Sequence, residues 1–404
     1  MKKHFLPILL GSDSNVYGMA RSFHEMYGVK SISVGKPRKF DYDIKESQIL
    51  KTESVENFNH PEVFLETMVS LYKKYQGKYK KLLLIPCGDV YSKLVIQNKK
   101  FLSKYFLISS ITEEQRIMLE DKDKFYETCE KFGLEYPKTI LINFESRENF
   151  ILDFDFPVIL KAVDSIEYAQ VNFPGKRKVY KLENERQLEV AIYEIYSSKY
   201  RGSLAIQEFI PGDDSHAYVL NTYSNQKGKV KMMCLGHVLL QNHFPSEIGN
   251  YVAIMTEYRK DIYLKMQKFL EDFGYVGFAN FDFKYDPRDK KYKLFEINVR
   301  QGRSSYYVTG AGQNLAKFIV DDLVYEKDEE IIYNKNEWLW HSIPKIILMR
   351  KINKKWKSKA EKLILKMKCG GTIFYKKDMN FKRFKYVMRS KYIEYRNFKN
   401  YFEK

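Results

Sequence analysis

Residues 276–300, VGFANFDFKYDPRDKKYKLFEINVR, carry the most specific pattern in this 404-residue chain. Two runs in which apolar and polar residues alternate, 276–285 and 292–300, flank the segment Asp-Pro-Arg-Asp at 286–289. Alternation with a period of two, interrupted by a proline-containing turn, predicts an antiparallel β-hairpin.

One face of this hairpin is rich in polar side chains. The alternation groups two triplets on that face: Asn280, Asp282 and Lys284 on the first strand, and Glu296, Asn298 and Arg300 on the second. Carboxylate and amide oxygens beside cationic groups are suited to Mg²⁺ and phosphate oxygens. The alternative is the solvated outer face of an amphipathic hairpin. The clustering of oxygen-bearing side chains favours the metal site, although the pattern alone leaves both interpretations open.

Strand-like and helical segments alternate over the first hundred residues. Strands are predicted at 7–10, 31–34 and 81–86, and helices at 17–27 and 61–75. Such alternation predicts a parallel sheet whose turns gather at one edge. The small and polar residues at 11–15 and 88–89 are therefore candidates for ligand contact.

A second α/β segment follows. A helix is predicted at 121–132 with Lys124 in its first turn, and a strand at 156–161 ends on Lys161. A helix at 184–198 and a strand at 204–210 come next, and Pro211-Gly212 closes that strand. Lysines at the ends of such elements can meet a phosphate, although a lone lysine is more often solvated.

The net charge of +18 is concentrated at the C-terminus. Residues 334–404 contain 21 Lys and Arg against 5 Asp and Glu, a net of +16, and leave +2 for residues 1–333. Bases interleaved with aromatic residues can bind anionic lipid, a pyrophosphate-bearing metabolite or nucleic acid. A solvated basic face is the alternative, and no nucleic-acid-binding motif is present.

Cysteine usage and hydropathy bear on the compartment. The four cysteines are widely spaced without a C-x-x-C pair, which argues against a zinc site or a disulfide framework. No apolar run approaches the roughly 18 residues of a membrane span. We therefore expect a cytoplasmic protein, with the basic segment available for peripheral contact with the inner face of the membrane.

The order of these features resembles the ATP-grasp superfamily of carboxylate–amine ligases. The matching features are Lys124, Lys161, QEFIPGDD at 207–214, Asp282 and EINVR at 296–300. Four further segments resemble the D-aspartate ligase family of Gram-positive cell-wall enzymes: PILLGSD at 7–13, NVYGMARSF at 15–23, GNYV at 249–252 and GRSSY at 302–306. The resemblance extends to Gly371-Thr372 and so covers nearly the whole chain.

The resemblance implies an α/β protein with the ATP-grasp fold. An N-terminal Rossmann-like (pre-ATP-grasp) domain is expected at 1–115, the ATP-grasp small lobe at 116–203, and the large lobe with the hairpin at 204–333. A basic C-terminal extension occupies 334–404. Many relatives have several glycines in the flap, whereas residues 162–180 contain only Gly175, followed by Lys176-Arg177-Lys178. Phosphate contact there is expected through side chains rather than a backbone nest.

The resemblance also implies a role for each matching residue. ATP phosphates are assigned to Lys124 and Lys161, the adenine to Gln207, Glu208 and Ile210, and the ribose to Asp214. One or two Mg²⁺ ions are assigned to Asp282, Glu296 and Asn298. Arg300 is expected to steady the transferring phosphoryl group, with Lys284 and Arg303 as further catalytic residues. Amino-acid contacts are expected at Ser12, Asp13, Asn15, Ser304 and Ser305. Many members carry a carboxylate where Gln207 stands, but its amide can still accept the adenine amino proton.

The implied activity is an ATP- and Mg²⁺-dependent ligation. The side-chain carboxylate of D-aspartate is activated as an acyl phosphate and joined to the lysine ε-amine of the peptidoglycan precursor UDP-MurNAc-pentapeptide. ADP and phosphate are released. One alternative is an ATP-grasp ligase for another amino acid or amine acceptor. Another is a non-enzymatic basic protein that binds membranes or nucleic acid, although the leading hypothesis expects no nucleic-acid partner.

Overall fold

Two units make up the computed structural model, which describes residues 3–38, 41–242 and 249–402. Unit 1 comprises Met1–Ile117, Asp214–Asp282 and Glu296–Lys404. Unit 2 comprises Met118–Asp213 and Phe283–Phe295, so the hairpin contributes residues to both. The division into four domains suggested by the sequence stays a prediction.

The strands, numbered along the chain, have the following bounds: β1 Lys3–Leu10, β2 Ser31–Gly35, β3 Leu50–Ser54, β4 Tyr79–Pro86, β5 Thr139–Ile142, β6 Val158–Ala162, β7 Tyr180–Leu182, β8 Leu204–Glu208, β9 Ala217–Ser224, β10 Val230–Gln241, β11 Tyr251–Glu257, β12 Gly277–Asp286, β13 Lys291–Asn298, β14 Ile332–Tyr333, β15 Leu339–His341 and β16 Cys369–Gly370.

The α-helices have these bounds: α1 Ser14–Tyr27, α2 Pro61–Tyr75, α3 Asp89–Gln97, α4 Lys99–Leu102, α5 Glu113–Glu120, α6 Lys122–Lys131, α7 Ser165–Gln170, α8 Glu185–Ser197, α9 Lys260–Phe273, α10 Tyr306–Gly310, α11 Leu315–Leu323, α12 Lys345–Lys351, α13 Lys354–Leu365 and α14 Phe381–Phe402. Short 3₁₀ turns lie at Asp214–His216 and Lys376–Asp378.

A parallel four-stranded sheet forms the N-terminal part of unit 1, in the order β3-β2-β1-β4. Its central strand β1 is buried from Phe5 to Leu10, as expected for a strand covered on both faces. Helix α1 follows after a turn in which the Asp13 carboxylate accepts from the backbone N–H groups of Asn15 and Val16. The helix ends at Gly28, which adopts a φ of +64°. The parallel α/β arrangement predicted from the sequence is confirmed.

A larger sheet follows the order β13-β12-β9-β10-β11-β15-β16, and β14 pairs with β10. Strand β10 pairs antiparallel with β9 and β11 and parallel with the short β14. Nearly every residue of β9 and β10 is buried, which makes this pair the central part of the sheet. The sheet thereby fixes the position of hairpin strand β12 and its polar face.

Unit 2 contains an antiparallel sheet in the order β5-β8-β6-β7. Helix α8 packs its apolar face, including Leu188, Ile192 and Ile195, into the core that this sheet forms. The central strand β8 is buried along its whole length, so the polar side chains of Gln207 and Glu208 need partners within the protein.

The C-terminal segment 334–404 is folded into unit 1 over its described residues. Leu348, Leu363 and Phe398 join a core cluster with residues of β10 and β11. Asp378 and Arg383 form a fully buried ion pair. Among the described residues, no helix is long and apolar enough to cross a membrane.

Candidate active site

The polar face of the hairpin brings four predicted residues together in unit 1. The amide nitrogen of Asn298 donates to the Asn280 side-chain oxygen at 3.2 Å and to the Asp282 carboxylate at 3.3 Å. An Arg300 guanidinium nitrogen lies 3.3 Å from the side-chain oxygen of Asn298. Phe281 and Ile297, on the opposite face of the hairpin, are buried in the core. The alternation predicted for the two strands is therefore observed.

Asp282 is the most perturbed acid of this face. Burial and the negative charge of nearby Glu296 raise the pKa of Asp282 to about 7, against smaller opposing contributions from hydrogen bonds and Arg300. The hydroxyl of Tyr251 donates to the same carboxylate at 2.8 Å. A divalent cation bound beside the Asp282 carboxylate would relieve this unfavourable electrostatic environment.

The donor chemistry fits Mg²⁺, a cation that prefers oxygen ligands and keeps several waters. Asp282 and Glu296 supply carboxylate oxygens, whereas Asn298 turns its amide nitrogen toward Asp282. A rotation about the Asn298 Cβ–Cγ bond would present its oxygen instead. Across 3–38, 41–242 and 249–402, no cluster of three or more His, Cys, Asp or Glu side chains is positioned to hold a metal. The candidate site accordingly depends on the two carboxylates and the amide.

Arg300 is held by Asp89, one of the ligand-contact candidates at 88–89, although the sequence does not link these two residues. Its Nε donates to Asp89 at 2.5 Å, and one guanidinium nitrogen donates to the Gln301 carbonyl at 3.0 Å. Asp89 is the first residue of α3 and follows the turn at Gly88. The sequence predicts ligand contact at this turn, whereas the pairing with Arg300 depends on the tertiary fold.

Unit 2 brings Lys161 and Gln207 together. Lys161 lies at the end of β6, and its Nζ donates to the Gln207 side-chain oxygen at 3.3 Å. The Gln207 amide nitrogen donates to the hydroxyl of Thr139 at 2.9 Å. The buried Gln207 therefore turns its oxygen toward the lysine and its nitrogen toward β5.

The rest of the predicted adenine segment is fixed by ionic and backbone contacts. Glu208 accepts from the backbone N–H of Lys138 at 2.9 Å and pairs with Arg288 at 2.7 Å. The Ile210 carbonyl accepts from Lys284 Nζ at 2.7 Å. Lys284 thus contacts the segment that was predicted to line the adenine. Its expected catalytic role stays a prediction.

Lys124 and the flap residue Lys176 each contact a partner that is close in sequence. The exposed Lys124 pairs with Glu127 at 3.2 Å, one turn along α6. Lys176 Nζ donates to the Val171 carbonyl at 2.6 Å within the flap. Gly175 adopts a φ of +75°. A phosphate contact by either lysine would require the side chain to move away from this partner.

Asp214 begins the 3₁₀ turn that precedes β9. Its carboxylate accepts from the backbone N–H of Gln241 at 2.9 Å. His237 bonds the Ser215 carbonyl at 2.7 Å through Nε2 and lies against the Tyr218 and Trp356 rings. Residues of β10 therefore hold the turn that carries the predicted ribose acid.

The predicted amino-acid contacts divide into two groups within unit 1. Ser12 donates to the Lys36 carbonyl at 3.1 Å, and Asp13 caps α1. Asn15 is buried, and its amide nitrogen donates to the Cys87 carbonyl at 2.9 Å. Its side-chain oxygen has no hydrogen-bond partner among the residues that the structure describes. In the second group Ser304 and Ser305 are buried. Arg303, just before them, is exposed.

Two residues near the hairpin carry contacts that the sequence reasoning missed. Tyr251 lies in the GNYV segment that contributed to the resemblance, but nothing in the pattern linked it to Asp282. Gly302 packs so closely on Asn280 that an added Cβ would lie 2.8 Å from the amide nitrogen of that side chain. The GRSSY segment contained this glycine without showing why the position excludes a side chain.

The chain is similar to a known protein over almost its whole length. The D-aspartate ligase of Enterococcus faecium (strain Aus0004) is 44% identical over 414 aligned positions, which cover 99% of this chain and 97% of the relative. No family model matches.

Solved structures establish the fold. An L-amino acid ligase from Bacillus licheniformis aligns with a TM-score of 0.56 at 13% identity, over 82% of this chain and 76% of that chain. The biotin carboxylase domain of Hydrogenobacter thermophilus 2-oxoglutarate carboxylase, solved with MgADP, ADP and bicarbonate, aligns with a TM-score of 0.59 at 13% identity, over 81% and 71%. The chain belongs to the D-aspartate ligase family and is an ATP-dependent carboxylate–amine ligase with the ATP-grasp fold.

Proposed function

We propose that the protein joins the side-chain carboxylate of D-aspartate to the lysine ε-amine of UDP-MurNAc-pentapeptide. The observation that carries this proposal is the 44% identity to a D-aspartate ligase, maintained over nearly the full length of both chains. The aligned region covers 99% of this chain, so it spans the segments that we propose to contact the substrates. The acceptor is the cell-wall precursor that the sequence resemblance implies.

The nucleotide residues have distinct proposed tasks. Lys161 neutralises phosphate charge, and its present partner Gln207 is then released to meet the adenine amino group. Glu208 and Ile210 lie in the segment proposed to line the adenine. That segment is held by Arg288 and Lys284, which limits its freedom before the nucleotide binds. Lys124 serves the phosphates, and Asp214 serves the ribose.

The hairpin residues are proposed to act on the transferring group. Mg²⁺, when bound, would neutralise negative charge on the triphosphate and so reduce its repulsion of the attacking carboxylate. Asp282, Glu296 and Asn298 would hold the metal. Arg300 would stabilise the charge on the transferring phosphoryl group, and Asp89 fixes the direction of its guanidinium.

Two bond exchanges complete the proposed reaction. A side-chain carboxylate oxygen of D-aspartate attacks the γ-phosphorus of ATP, the bond to the β-phosphate oxygen breaks, and ADP leaves. The lysine amine then attacks the activated carbonyl carbon and loses a proton, and phosphate leaves with the oxygen that came from aspartate. Lys284 is proposed to assist the phosphoryl transfer step.

Amino-acid selection is assigned to the remaining predicted residues. Arg303 is exposed next to the hairpin strand and can pair with a substrate carboxylate as a fork of donors. Ser304 and Ser305 follow it, and Ser12, Asp13 and Asn15 are the proposed contacts in the N-terminal part. The buried Asn15 side-chain oxygen, which no described residue contacts by a hydrogen bond, is an acceptor that a substrate ammonium group could satisfy.

The test is a ligation assay with a panel of amino acids. We expect ADP, phosphate and a product heavier by one aspartyl residue when ATP, Mg²⁺, D-aspartate and the UDP-linked pentapeptide are supplied. L-aspartate, D-asparagine and D-glutamate, tested in parallel, should give slower turnover. Faster turnover with another acid or acceptor would replace the proposed substrates while leaving the ligase chemistry in place.

Variants connect the activity to the hairpin. Asp282→Asn should reduce turnover at least about a hundredfold, because a charged metal ligand is lost. Asp272→Asn, at a partly exposed acid that pairs with Lys268, is the matched control and should retain wild-type turnover. Equal activity of the two variants would remove the hairpin face from the mechanism.

A further inference from the structure

One face of α14 exposes large apolar side chains in a helical stripe. Its members recur every three or four residues and are Phe381, Phe384, Met388, Tyr392 and Tyr395. Their exposed fractions range from 38% for Tyr395 to 74% for Phe381. We call these five residues the α14 stripe. Successive positions at this spacing lie on one side of a helix, so the stripe is a continuous apolar surface.

Exposed bases surround the α14 stripe: Lys382, Lys385, Arg389, Arg396 and Lys399. The acid on this helix between 381 and 400, Glu394, has a side chain that is only 25% exposed and pairs with Lys391 at 2.9 Å. Over those described positions the outward face therefore carries cations and apolar groups without a fully exposed acid. Its electrostatic potential favours an anionic surface.

The opposite face of α14 is anchored in unit 1. Arg383 and Val387 are fully buried, and Phe398 is almost completely buried. Farther along α14, the hydroxyl of Ser390 donates to the Asp43 carboxylate at 2.8 Å. The helix is consequently in place before any partner arrives, so docking would require little ordering of the backbone.

Exposed apolar side chains and positive charge are both concentrated in the C-terminal segment 334–404. Nine of the 19 large apolar side chains exposed among the described residues belong to positions 334–404. The same segment has a net charge of +16. A solvated basic face accounts for the charge but leaves the apolar exposure unexplained.

We propose that the α14 stripe docks on an anionic lipid bilayer, with the apolar side chains entering the headgroup region and the bases pairing with lipid phosphates. A helix with an apolar arc flanked by lysine and arginine is typical of interfacial membrane binding. Docking of a second copy of the protein through the same face is disfavoured, because the two cationic faces would repel each other. A nucleic acid could be held by the bases alone, without Met388 or the surrounding apolar surface.

The test is vesicle flotation with the full-length protein, independent of the ligase substrates. We expect binding to phosphatidylcholine vesicles containing about 30% phosphatidylglycerol and at least about tenfold weaker binding to pure phosphatidylcholine. Raising the salt from about 50 mM to about 500 mM should weaken the binding, because the Debye length shortens several-fold. Equal binding to both kinds of vesicle, or none to either, would overturn the proposal.

Two variants separate the apolar and the ionic contributions. The triple variant Phe384→Ser, Met388→Ser, Tyr392→Ser should bind anionic vesicles at least about tenfold more weakly, because the apolar surface of three side chains is no longer transferred from water into the bilayer. The triple variant Lys385→Gln, Arg389→Gln, Arg396→Gln should lose about a hundredfold, since each base near an anionic surface contributes about fivefold. Vesicle binding unchanged by the serine substitutions would refute docking through the stripe.

Matched controls distinguish docking from misfolding. Val190→Ser with Tyr193→Ser removes two exposed apolar side chains of α8 in unit 2 and should leave vesicle binding unchanged. Circular dichroism and turnover with the UDP-linked acceptor should stay at wild-type levels in the serine triple variant, because its positions are exposed. Single-stranded DNA or RNA is then added to protein bound on anionic vesicles. If the nucleic acid displaces the protein when its phosphate concentration is still below that of the lipid phosphate, the face is a nucleic-acid site and the lipid proposal is wrong.

Discussion

Replacing Arg383 by methionine tests how the C-terminal segment is held to the rest of unit 1. Arg383 is fully buried, and its Nε lies 3.0 Å from the fully buried Asp378 carboxylate. Its other guanidinium nitrogens donate to the carbonyls of Lys45 at 2.9 Å and Asp43 at 3.0 Å. The guanidinium also lies 4.1 Å from the centre of the Tyr17 ring. Methionine can retain the packing but none of the hydrogen bonds.

The expected loss follows from the contacts that remain at Asp378. Its carboxylate still accepts from the Tyr17 hydroxyl at 2.8 Å, the Ser47 hydroxyl at 2.8 Å and the Gln48 N–H at 2.6 Å. It would nevertheless be a buried charge without a cation, and breaking one partner out of a buried pair costs about 3–5 kcal/mol. We expect Arg383→Met to lower the free energy of unfolding by about that amount.

Urea unfolding at neutral pH, followed by near-ultraviolet circular dichroism, measures this loss. Lys382→Met changes an exposed neighbour on the same helix and should cost no more than about 0.5 kcal/mol. Asp378→Asn combined with Arg383→Met should recover part of the stability, because no unpaired charge is left buried. A loss below about 1 kcal/mol for Arg383→Met, or no recovery in the double variant, would refute the reasoning.

Three further predictions follow from buried groups and close packing. Burial lowers the pKa of His237 and His341 from 6.5 to about 4. Because the unfolded chain then binds more protons below pH 6.5, the free energy of unfolding should be highest above pH 6.5 and fall by up to about 3 kcal/mol per histidine toward pH 4. A urea unfolding midpoint that does not change with pH would contradict this. Gly302→Ala places a Cβ 2.8 Å from the Asn280 amide nitrogen, so the Asn280 side chain must move. We expect turnover in the ligation assay to fall at least about tenfold. Wild-type turnover would show that the hairpin face tolerates this displacement of Asn280. Lys161→Met should raise the KM for ATP at least about tenfold through the loss of one phosphate contact, and initial rates at varied ATP would expose an unchanged KM.

Much of the fold could be predicted because local periodicity determines its elements. The helix predicted at 61–75 is observed at Pro61–Tyr75, and the strand predicted at 31–34 at Ser31–Gly35. The hairpin face followed from the pleat of two alternating strands, which does not depend on the rest of the fold. The helix predicted at 17–27 is observed at Ser14–Tyr27, because the Asp13 carboxylate caps the backbone three residues earlier than the apolar pattern begins.

Contacts between distant segments could not be predicted in the same way. Asp89 pairs with Arg300 across 211 positions, and Tyr251 reaches Asp282 across 31. No spacing in the sequence links such residues, because tertiary packing alone brings them together. The basic C-terminal charge was visible in the sequence, but only the structure showed that Arg383 faces the core.

Oxygen transfer from substrate to phosphate tests the proposed chemistry most directly. D-aspartate labelled with ¹⁸O in its side-chain carboxylate would be ligated to the UDP-linked pentapeptide by the full-length protein with ATP and Mg²⁺. The account predicts that each released phosphate carries one labelled oxygen, and that label placed in the α-carboxylate stays with the amino acid. Unlabelled phosphate from the side-chain-labelled substrate, with product still formed, would contradict activation of that carboxylate by phosphoryl transfer.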